Sequence, residues 1–387
     1  MSGGDSPALP PGATIGIVGG GQLGRMSAMA AARLGYRTHV LCDDPDGPAA
    51  QVATGCRVGA FDDPDTLRSF AAAVDVVTFE FENVGADGLE LLAESRPVRP
   101  AGSVLRTSQD RLEEKRFLSG AGLAVAPWHP VREAADLDEA VRTVKLPLVL
   151  KTTRLGYDGK GQRVVRDREE LAAAFAALHP KPLVAEALVD FSRELSVMVA
   201  RGVDGTVRCF DPVQNLHRHH ILDLTLAPAP VAEDVLAEAR RMATAVADAI
   251  GLEGLLGVEM FQDRNGRLLV NEIAPRPHNS GHWTMDACLI DQFEMHVRAV
   301  AGLPLPEPRR HSDAVMRNLV GPDDMALWPA ILGTEGLLPH LYGKREARPG
   351  RKMGHVNRLF PRGGLPGPLG IAAALGPLRR DPEEEAS

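Results

Sequence analysis

Cysteine is scarce and unpatterned in this chain. Cys42, Cys56, Cys209 and Cys288 are the four in 387 residues, and no two lie at a spacing that suits a shared metal. A zinc site is therefore not expected, and the usage fits a reducing cytoplasm. A surplus of positive charge is also missing: 43 Lys and Arg stand against 51 Asp and Glu, a net charge of −8. That argues against a general nucleic-acid binder while leaving room for a local basic pocket. No apolar run approaches the ~20 residues of a membrane span. Residues 1–13 hold no Lys, Arg or apolar stretch, so no secretory signal is expected.

What is present is an ordinary globular composition, 44% apolar and 24% charged, enough for two or three cored domains at this length. Residues 14–18 form a short apolar strand ending at Gly19. A helix follows over about 24–34, with strands at 38–41 and 74–79. Strands alternating with helices imply an α/β fold with a parallel sheet. Asp110 can cap a helix over 110–120 that turns Leu112 and Phe117 inward. A strand over 148–151, a helix over 169–178 and a strand over 183–186 come next. Val235, Ala239, Met242, Val246 and Ile250 make one apolar helical face. A proline-rich junction at 304–308 precedes a last domain. The Gly/Pro-rich start and the acidic stretch from Asp381 to Ser387 read as frayed tails.

Three motifs carry chemistry. Residues 19–24, Gly-Gly-Gly-Gln-Leu-Gly, match G-x-G-x-x-G between strand and helix, and Asp43 and Asp44 follow after the second strand. This is the dinucleotide-binding fingerprint; a Rossmann-like loop serving another ligand is the alternative. Second, Asn265-Gly266 signals a hairpin. With those two as the loop, Arg264 pairs with Arg267, and counting outward brings Glu259 opposite Glu272. Like charges directly opposite destabilise a sheet, and lone carboxylates in apolar strands are costly. A Mg²⁺ between them would resolve the conflict; a solvated face bridged by arginine is the alternative. Third, Lys151 ends a strand and runs into a polar loop with Gly156, Gly159 and Gly161. Such a loop can fold over phosphate oxygens while Lys151 and Lys160 supply charge, although G-x-x-x-x-G-K-[ST] is absent. A plain flexible hairpin is the alternative.

Taken in order from about residue 14 to 375, these pieces resemble the ATP-grasp superfamily. Within it they are similar to the N5-carboxyaminoimidazole ribonucleotide synthetase family, the ATP-dependent carboxylases of purine synthesis. Residues 20–26, 79–84, 156–162 and 215–217 carry the wider resemblance. Pro-Arg-Pro-His-Asn-Ser-Gly-His-Trp (275–283) and Arg-Pro-Gly-Arg-Lys (348–352) carry the narrower one. The resemblance implies a tail over 1–13, a Rossmann-like pre-ATP-grasp domain over 14–108 and a two-part ATP-grasp domain over 109–305. The lid subdomain of the latter spans about 123–187. A small β-rich C-terminal domain over 306–376 and an acidic tail over 377–387 complete it.

The resemblance also implies roles. Arg111 and Lys151 would hold ATP phosphates under a lid of Gly156, Tyr157, Asp158, Gly159, Lys160, Gly161 and Gln162. Glu186, Ala187, Leu188 and Val189 would form the adenine hinge, with Glu186 facing the amino group. Glu194 would take the ribose hydroxyls, with His217 nearby. Glu259 and Glu272 would bind Mg²⁺, two ions per site with Mn²⁺ as substitute, beside Asn271. Gln22, Leu23, Glu80, Arg276, His278 and Asn279 would meet aminoimidazole ribonucleotide, and Lys344, Arg351 and Lys352 would clamp its 5′-phosphate. Lys151 and Arg276 would be the catalytic side chains, acting through carboxyphosphate made from bicarbonate and ATP. A cytoplasmic homodimer with no nucleic-acid or membrane partner is implied. The nearest rival is a formate-using glycinamide ribonucleotide transformylase; an NAD-dependent oxidoreductase would explain the glycine loop alone.

Overall fold

The computed structural model describes residues 8–154, 156 and 161–379, so Tyr157, Asp158, Gly159 and Lys160 of the expected lid lie outside the described residues. The first unit runs β1 (Thr14–Val18), α1 (Gln22–Arg33), β2 (Arg37–Cys42), β3 (Gly55–Val58), α2 (Pro64–Ala72) and β4 (Val76–Phe79). Its strands pair in the order β3-β2-β1-β4, all parallel. Apart from Thr14, every residue of β1 is buried, and so is every residue of β4. Unbroken apolar runs are what a parallel sheet covered on both faces requires.

Helices α3 (Ala86–Ala93), α4 (Gly102–Gln109) and α5 (Arg111–Gly120) lead out of this unit. Asp110 caps α5 as expected, accepting from the amides of Leu112 and Glu113 at 2.9 and 3.4 Å. A second sheet follows from β5 (Trp128–Val131), α6 (Leu137–Val144), β6 (Leu148–Thr152), β7 (Gln162–Val165), α7 (Arg168–Leu178) and β8 (Leu183–Ala187). Its order is β5-β8-β6-β7, antiparallel throughout. Leu148, Leu150, Val165 and Leu183 share one core with Ala140 of α6 and Leu171 of α7.

The largest sheet begins with β9 (Phe191–Arg201), β10 (Val207–Cys209), β11 (Val213–Arg218) and β12 (Ile221–Ala227). It continues through α8 (Glu233–Ala249), β13 (Gly254–Asp263), β14 (Leu268–Ala274), α9 (Thr284–Ala287) and α10 (Gln292–Ala301). The apolar face of α8 packs Ala239, Met242 and Val246 on Val197, Leu256 and Val258. Each large apolar side chain so buried contributes about 1.5–3 kcal/mol. After the proline junction come β15 (Asp313–Val320), α11 (Gly321–Ala326), α12 (Trp328–Leu332), β16 (Leu337–Leu341), β17 (Lys352–Phe360) and α13 (Pro368–Ala374). These strands do not make a sheet of their own. β15 pairs with β12, so one sheet runs β14-β13-β9-β11-β12-β15-β17-β16. Leu224 and Leu226 of β12 share a core with Val315, Leu337 and Val356, which is why the sheet continues across the junction.

The hairpin reaches its expected pairing by a different route. The Asp263 amide donates to the Arg267 carbonyl at 2.9 Å, so the loop has three residues and ends on Gly266 at φ +83°. That shifts the register by one, and Met260 faces Val270. A bulge at Asn271 then shifts it back, and Glu259 does face Glu272.

Candidate active site

The two antiparallel sheets and the loop after β4 enclose a cleft of about 890 Å³. At one end, Lys151 on β6 and Glu186 on β8 share a face of the second sheet, with Nζ and Oε1 3.2 Å apart. Lys115 of α5 enters the same group, 3.2 Å from Glu186 Oε2, and donates to the Asn271 carbonyl at 2.7 Å. Burial alone would raise the Glu186 pKa, but Lys115, Lys151 and Arg111 outweigh it and hold the carboxyl at about 2. Burial lowers the Lys151 pKa, and the neighbouring Arg111 and Lys115 push the same way. Lys115 escaped the sequence reading, although it lies three residues from both Leu112 and Leu118 on the buried face of α5. A lysine on an apolar helical face was the available signal.

Ala187, Leu188 and Val189 line the cleft beside this group. The amides of Ala187 and Leu188 already donate to the carbonyls of Pro127 and Pro147. Glu186 is ion-paired with the two lysines, and its buried Oε1 accepts no hydrogen bond. Further along, His217 Nδ1 lies 2.9 Å from Glu194 Oε2. Burial opposes a charge on His217, but the bond to Glu194 and the charges of Glu194 and Glu259 raise its pKa.

Glu259 and Glu272 project together from β13 and β14. Arg111 Nη1 stands 3.2 Å from Glu272 Oε2, and His278 Nε2 stands 3.1 Å from Glu259 Oε1. Burial, then the Glu272 charge, pushes the Glu259 carboxyl up to about 8. Burial acts on Glu272 as well, but Arg111 and Lys151 overcome it and keep that carboxyl low. Two half-buried, opposed carboxylates with Asn271 on the bulge form an all-oxygen donor set suited to a hard divalent cation. Among the described residues, no cluster of three or more His, Cys, Asp or Glu is arranged to hold a metal by itself.

On the opposite wall, Arg276 Nη2 pairs with Glu82 at 3.0 Å and Nη1 donates to the Pro277 carbonyl at 3.1 Å. Glu82 was not singled out from sequence. Its position just beyond β4, at the carboxyl end of a parallel sheet, is where such folds bind ligands. Both amide atoms of Asn279 are buried without a partner, and the residue lines the cleft. Burial, then Arg276 and Lys352, holds His278 well below the usual imidazole range.

The glycine loop explains itself here. Glu80 accepts from the amides of Gly21 and Gly24 at 2.8 and 3.2 Å, occupying the helix N-terminus that a dinucleotide phosphate would need. A Cβ at Gly21 would stand 2.6 Å from Glu80 Oε1. Leu23 packs in the core of the first unit and Gln22 starts α1 half-buried; neither lines the cleft. Close to Glu80, the loop before β17 brings cations together. Lys344 Nζ donates to the Lys352 carbonyl at 2.7 Å, and Arg351 Nη1 donates to the Glu346 carbonyl at 3.0 Å. Burial, with Arg351 nearby, pulls the Lys344 pKa down to about 8. Gln51 donates to the Gly343 carbonyl at 2.9 Å and Arg345 pairs with Asp46, tying this loop to the first unit. Of the described lid residues, Gly156 and Gln162 line the cleft, and the Gly161 carbonyl accepts from Thr152 at 2.8 Å.

Comparison with known proteins gives three family matches in the same order. Residues 12–109 match the ribonucleotide synthetase preATP-grasp domain and residues 116–293 the ATP-grasp domain. Residues 314–362 match the phosphoribosylaminoimidazole carboxylase C-terminal domain. The chain is 49% identical over 360 residues to the N5-carboxyaminoimidazole ribonucleotide synthase of Brucella melitensis, covering 92% of this chain and 99% of that one. The Staphylococcus aureus N5-carboxyaminoimidazole synthetase complexed with ADP superposes with a TM-score of 0.90 at 37% identity, covering 96% of this chain and 99% of the other. The Aspergillus clavatus synthase in complex with ADP and 5-aminoimidazole ribonucleotide gives 0.87 at 31%, covering 95% and 97%.

Proposed function

The chain belongs to the N5-carboxyaminoimidazole ribonucleotide synthases, ATP-grasp ligases that carboxylate 5-aminoimidazole ribonucleotide in purine synthesis, and we propose how its residues divide that work. The observation that carries the assignment is the opposition of Glu259 to Glu272 within a cleft also lined by Arg111, Lys151 and Arg276.

ATP lies with its adenine along Ala187–Val189, where the Val189 amide is the donor left to it. Glu194, oriented by His217, accepts from the ribose hydroxyls. Arg111 and Lys151 meet the phosphates, with Gly156 and Gln162 beside them in the cleft. Glu259, Glu272 and Asn271 would hold Mg²⁺, two ions with Mn²⁺ as substitute, and the bound cation would offset charge on the β,γ-phosphates. Glu80 shapes the loop from which Gln22 and the Leu23 backbone face the ribonucleotide. Asn279 supplies its unpartnered amide, and Lys344, Arg351 and Lys352 take the 5′-phosphate. Arg gives bidentate geometry there and Lys a point charge.

A bicarbonate oxygen attacks the γ-phosphorus, releasing ADP and leaving carboxyphosphate. The 5-amino group then bonds to the carboxyl carbon, directly or as CO₂ released in the pocket. It loses a proton, and phosphate departs. Such chemistry needs positioning and charge neutralisation rather than a side-chain nucleophile. Lys151 and Arg276 steady the transferring phosphoryl group and the carboxyphosphate, while Glu82 holds Arg276 in place. Lid closure keeps water from hydrolysing the intermediate. We extend the reading to a cytoplasmic homodimer; among the described residues no helix is long and apolar enough to cross a membrane. Turnover with ¹⁸O-bicarbonate tests the route: one bicarbonate oxygen should appear in the released phosphate, and phosphate free of label would overturn carboxyphosphate.

A further inference from the structure

A line of hydrogen bonds runs from the middle of the large sheet to His278, and the roles above use only its last two members. Glu259 pairs with Ser196, Ser196 with Val213, and Asn215 with Thr225. Since strand side chains alternate, Thr225, Asn215, Ser196 and Glu259 all lie on one face. Thr225 Oγ1 donates to Asn215 Oδ1 at 3.0 Å, and Asn215 Nδ2 donates to Ser196 Oγ at 2.9 Å. Ser196 Oγ then donates to Ser280 Oγ at 2.8 Å, and Ser280 Oγ lies 2.9 Å from His278 Nδ1. The line ends where His278 Nε2 meets Glu259, 3.1 Å away. Thr225, Ser196 and Ser280 are at most 1% exposed and Asn215 is 5% exposed.

The donor order along this line points to one His278 tautomer. The Asn215 amide donates to Ser196, so Ser196 passes its own proton to Ser280. With Ser196 as its donor, Ser280 has its own proton available for His278 Nδ1, 2.9 Å away. The Ser280 amide, 3.4 Å from the same atom, adds to this. The ring proton is then on Nε2, which lies 3.1 Å from Glu259 Oε1. Gln292 fixes the backbone of the same residue, accepting from the His278 amide and donating to its carbonyl, both at 2.9 Å. None of Ser196, Asn215 and Ser280 lines the cleft.

We propose that Ser196, Asn215 and Ser280 are positioning residues of the carboxylation site, which lock His278 in the Nε2–H tautomer beside Glu259. A ring turned to the other tautomer would present an Nε2 lone pair beside the carboxylates and compete as a nitrogen ligand for a bound cation. The lock keeps the donor set all-oxygen, as an outer shell does in many metal sites. The inference rests on the assignment of His278 and Glu259 to the reacting site.

The test uses the full chain, metal-free, with ¹⁵N-labelled histidine rings. The His278 signals are identified by their loss in His278→Gln. Wild type should show Nε2 protonated and Nδ1 bare. Ser196→Ala should mix the tautomers and lower kcat for ribonucleotide-dependent ADP release about 10–100-fold. The KM for ATP should hold, and Ser196→Thr, which keeps the hydroxyl, should restore tautomer and kcat together. Ser280→Ala should act in the same direction, and serves if Ser196→Ala does not fold. An Nδ1-protonated ring in wild type overturns the proposal. So does a variant in which tautomer and kcat fail to change together. The NMR readout needs no turnover, so a wild type without ribonucleotide-dependent ADP release would overturn the functional reading and leave this lock to be judged separately.

Discussion

Glu259→Gln should separate stability from turnover. Without metal, burial and the facing Glu272 hold the Glu259 carboxyl up at about 8. An unfolded chain ionises Glu near ~4.3. Because the folded value is the higher one, the folded state holds the proton more tightly. Stability present at low pH is therefore lost as pH rises from the unfolded value towards 8. At pH 7 the gap amounts to about 3–4 kcal/mol against the fold. A neutral amide has no such penalty, and its oxygen can still accept from His278 Nε2. The metal-free variant should therefore be more stable than wild type at pH 7.5, by several degrees in melting temperature at ~2–4 °C per kcal/mol. At pH 4.5 the advantage should vanish. Turnover should fall at least ~100-fold, since one of two cation ligands is lost. Thermal unfolding in EDTA at both pH values, beside a steady-state assay, reads all three quantities. A variant no more stable than wild type at pH 7.5 would rule out the raised Glu259 carboxyl, and near-normal turnover would rule out its role as a cation ligand.

Other expectations follow from single contacts. Lys115→Met removes a buried cation from Glu186 and leaves the Asn271 carbonyl without its donor. A loss of about 3–5 kcal/mol is expected in urea unfolding, with a raised KM for ATP; unchanged stability would remove Lys115 from the framework. The Lys344 pKa of about 8 means that its charge fades as pH rises through that value. The ribonucleotide KM should therefore climb between pH 7 and 9 in wild type and stay flat in Lys344→Arg. Arg351→Ala should raise the same KM at every pH without touching that for ATP, and an unchanged value would take it out of the clamp. Gly21→Ala places a Cβ 2.6 Å from Glu80 Oε1 and should expel that carboxylate, costing about 1–3 kcal/mol. Wild type should not quench or shift nicotinamide fluorescence in a titration with NADH.

Much of the site was legible because it obeys local rules. The capped helix at Asp110, the strand carrying Lys151 and the apolar face of α8 follow from periodicity and caps. The opposed glutamates were found with the wrong turn: a three-residue loop and a bulge at Asn271 each shift the register by one, and the shifts cancel. Turn type cannot be read from Asn-Gly alone, since a glycine in the left-handed region serves both loops. The glycine fingerprint was ambiguous for a tertiary reason. Its glycines make room for Glu80, which lies 59 residues from Gly21. Lys115 and Glu82 were missed because what they hold, Glu186 and Arg276, comes from distant strands and loops. The joining of the last strands to the central sheet depends on the free edge of β12, which no local pattern announces.

The most direct measurement is ADP release from Mg-ATP and ¹⁴C-bicarbonate with and without 5-aminoimidazole ribonucleotide. Release should depend on the ribonucleotide, with label in an acid-labile carbamate in equal amount. ADP release that ignores the ribonucleotide, or proceeds with no label in product, would contradict the carboxylase assignment.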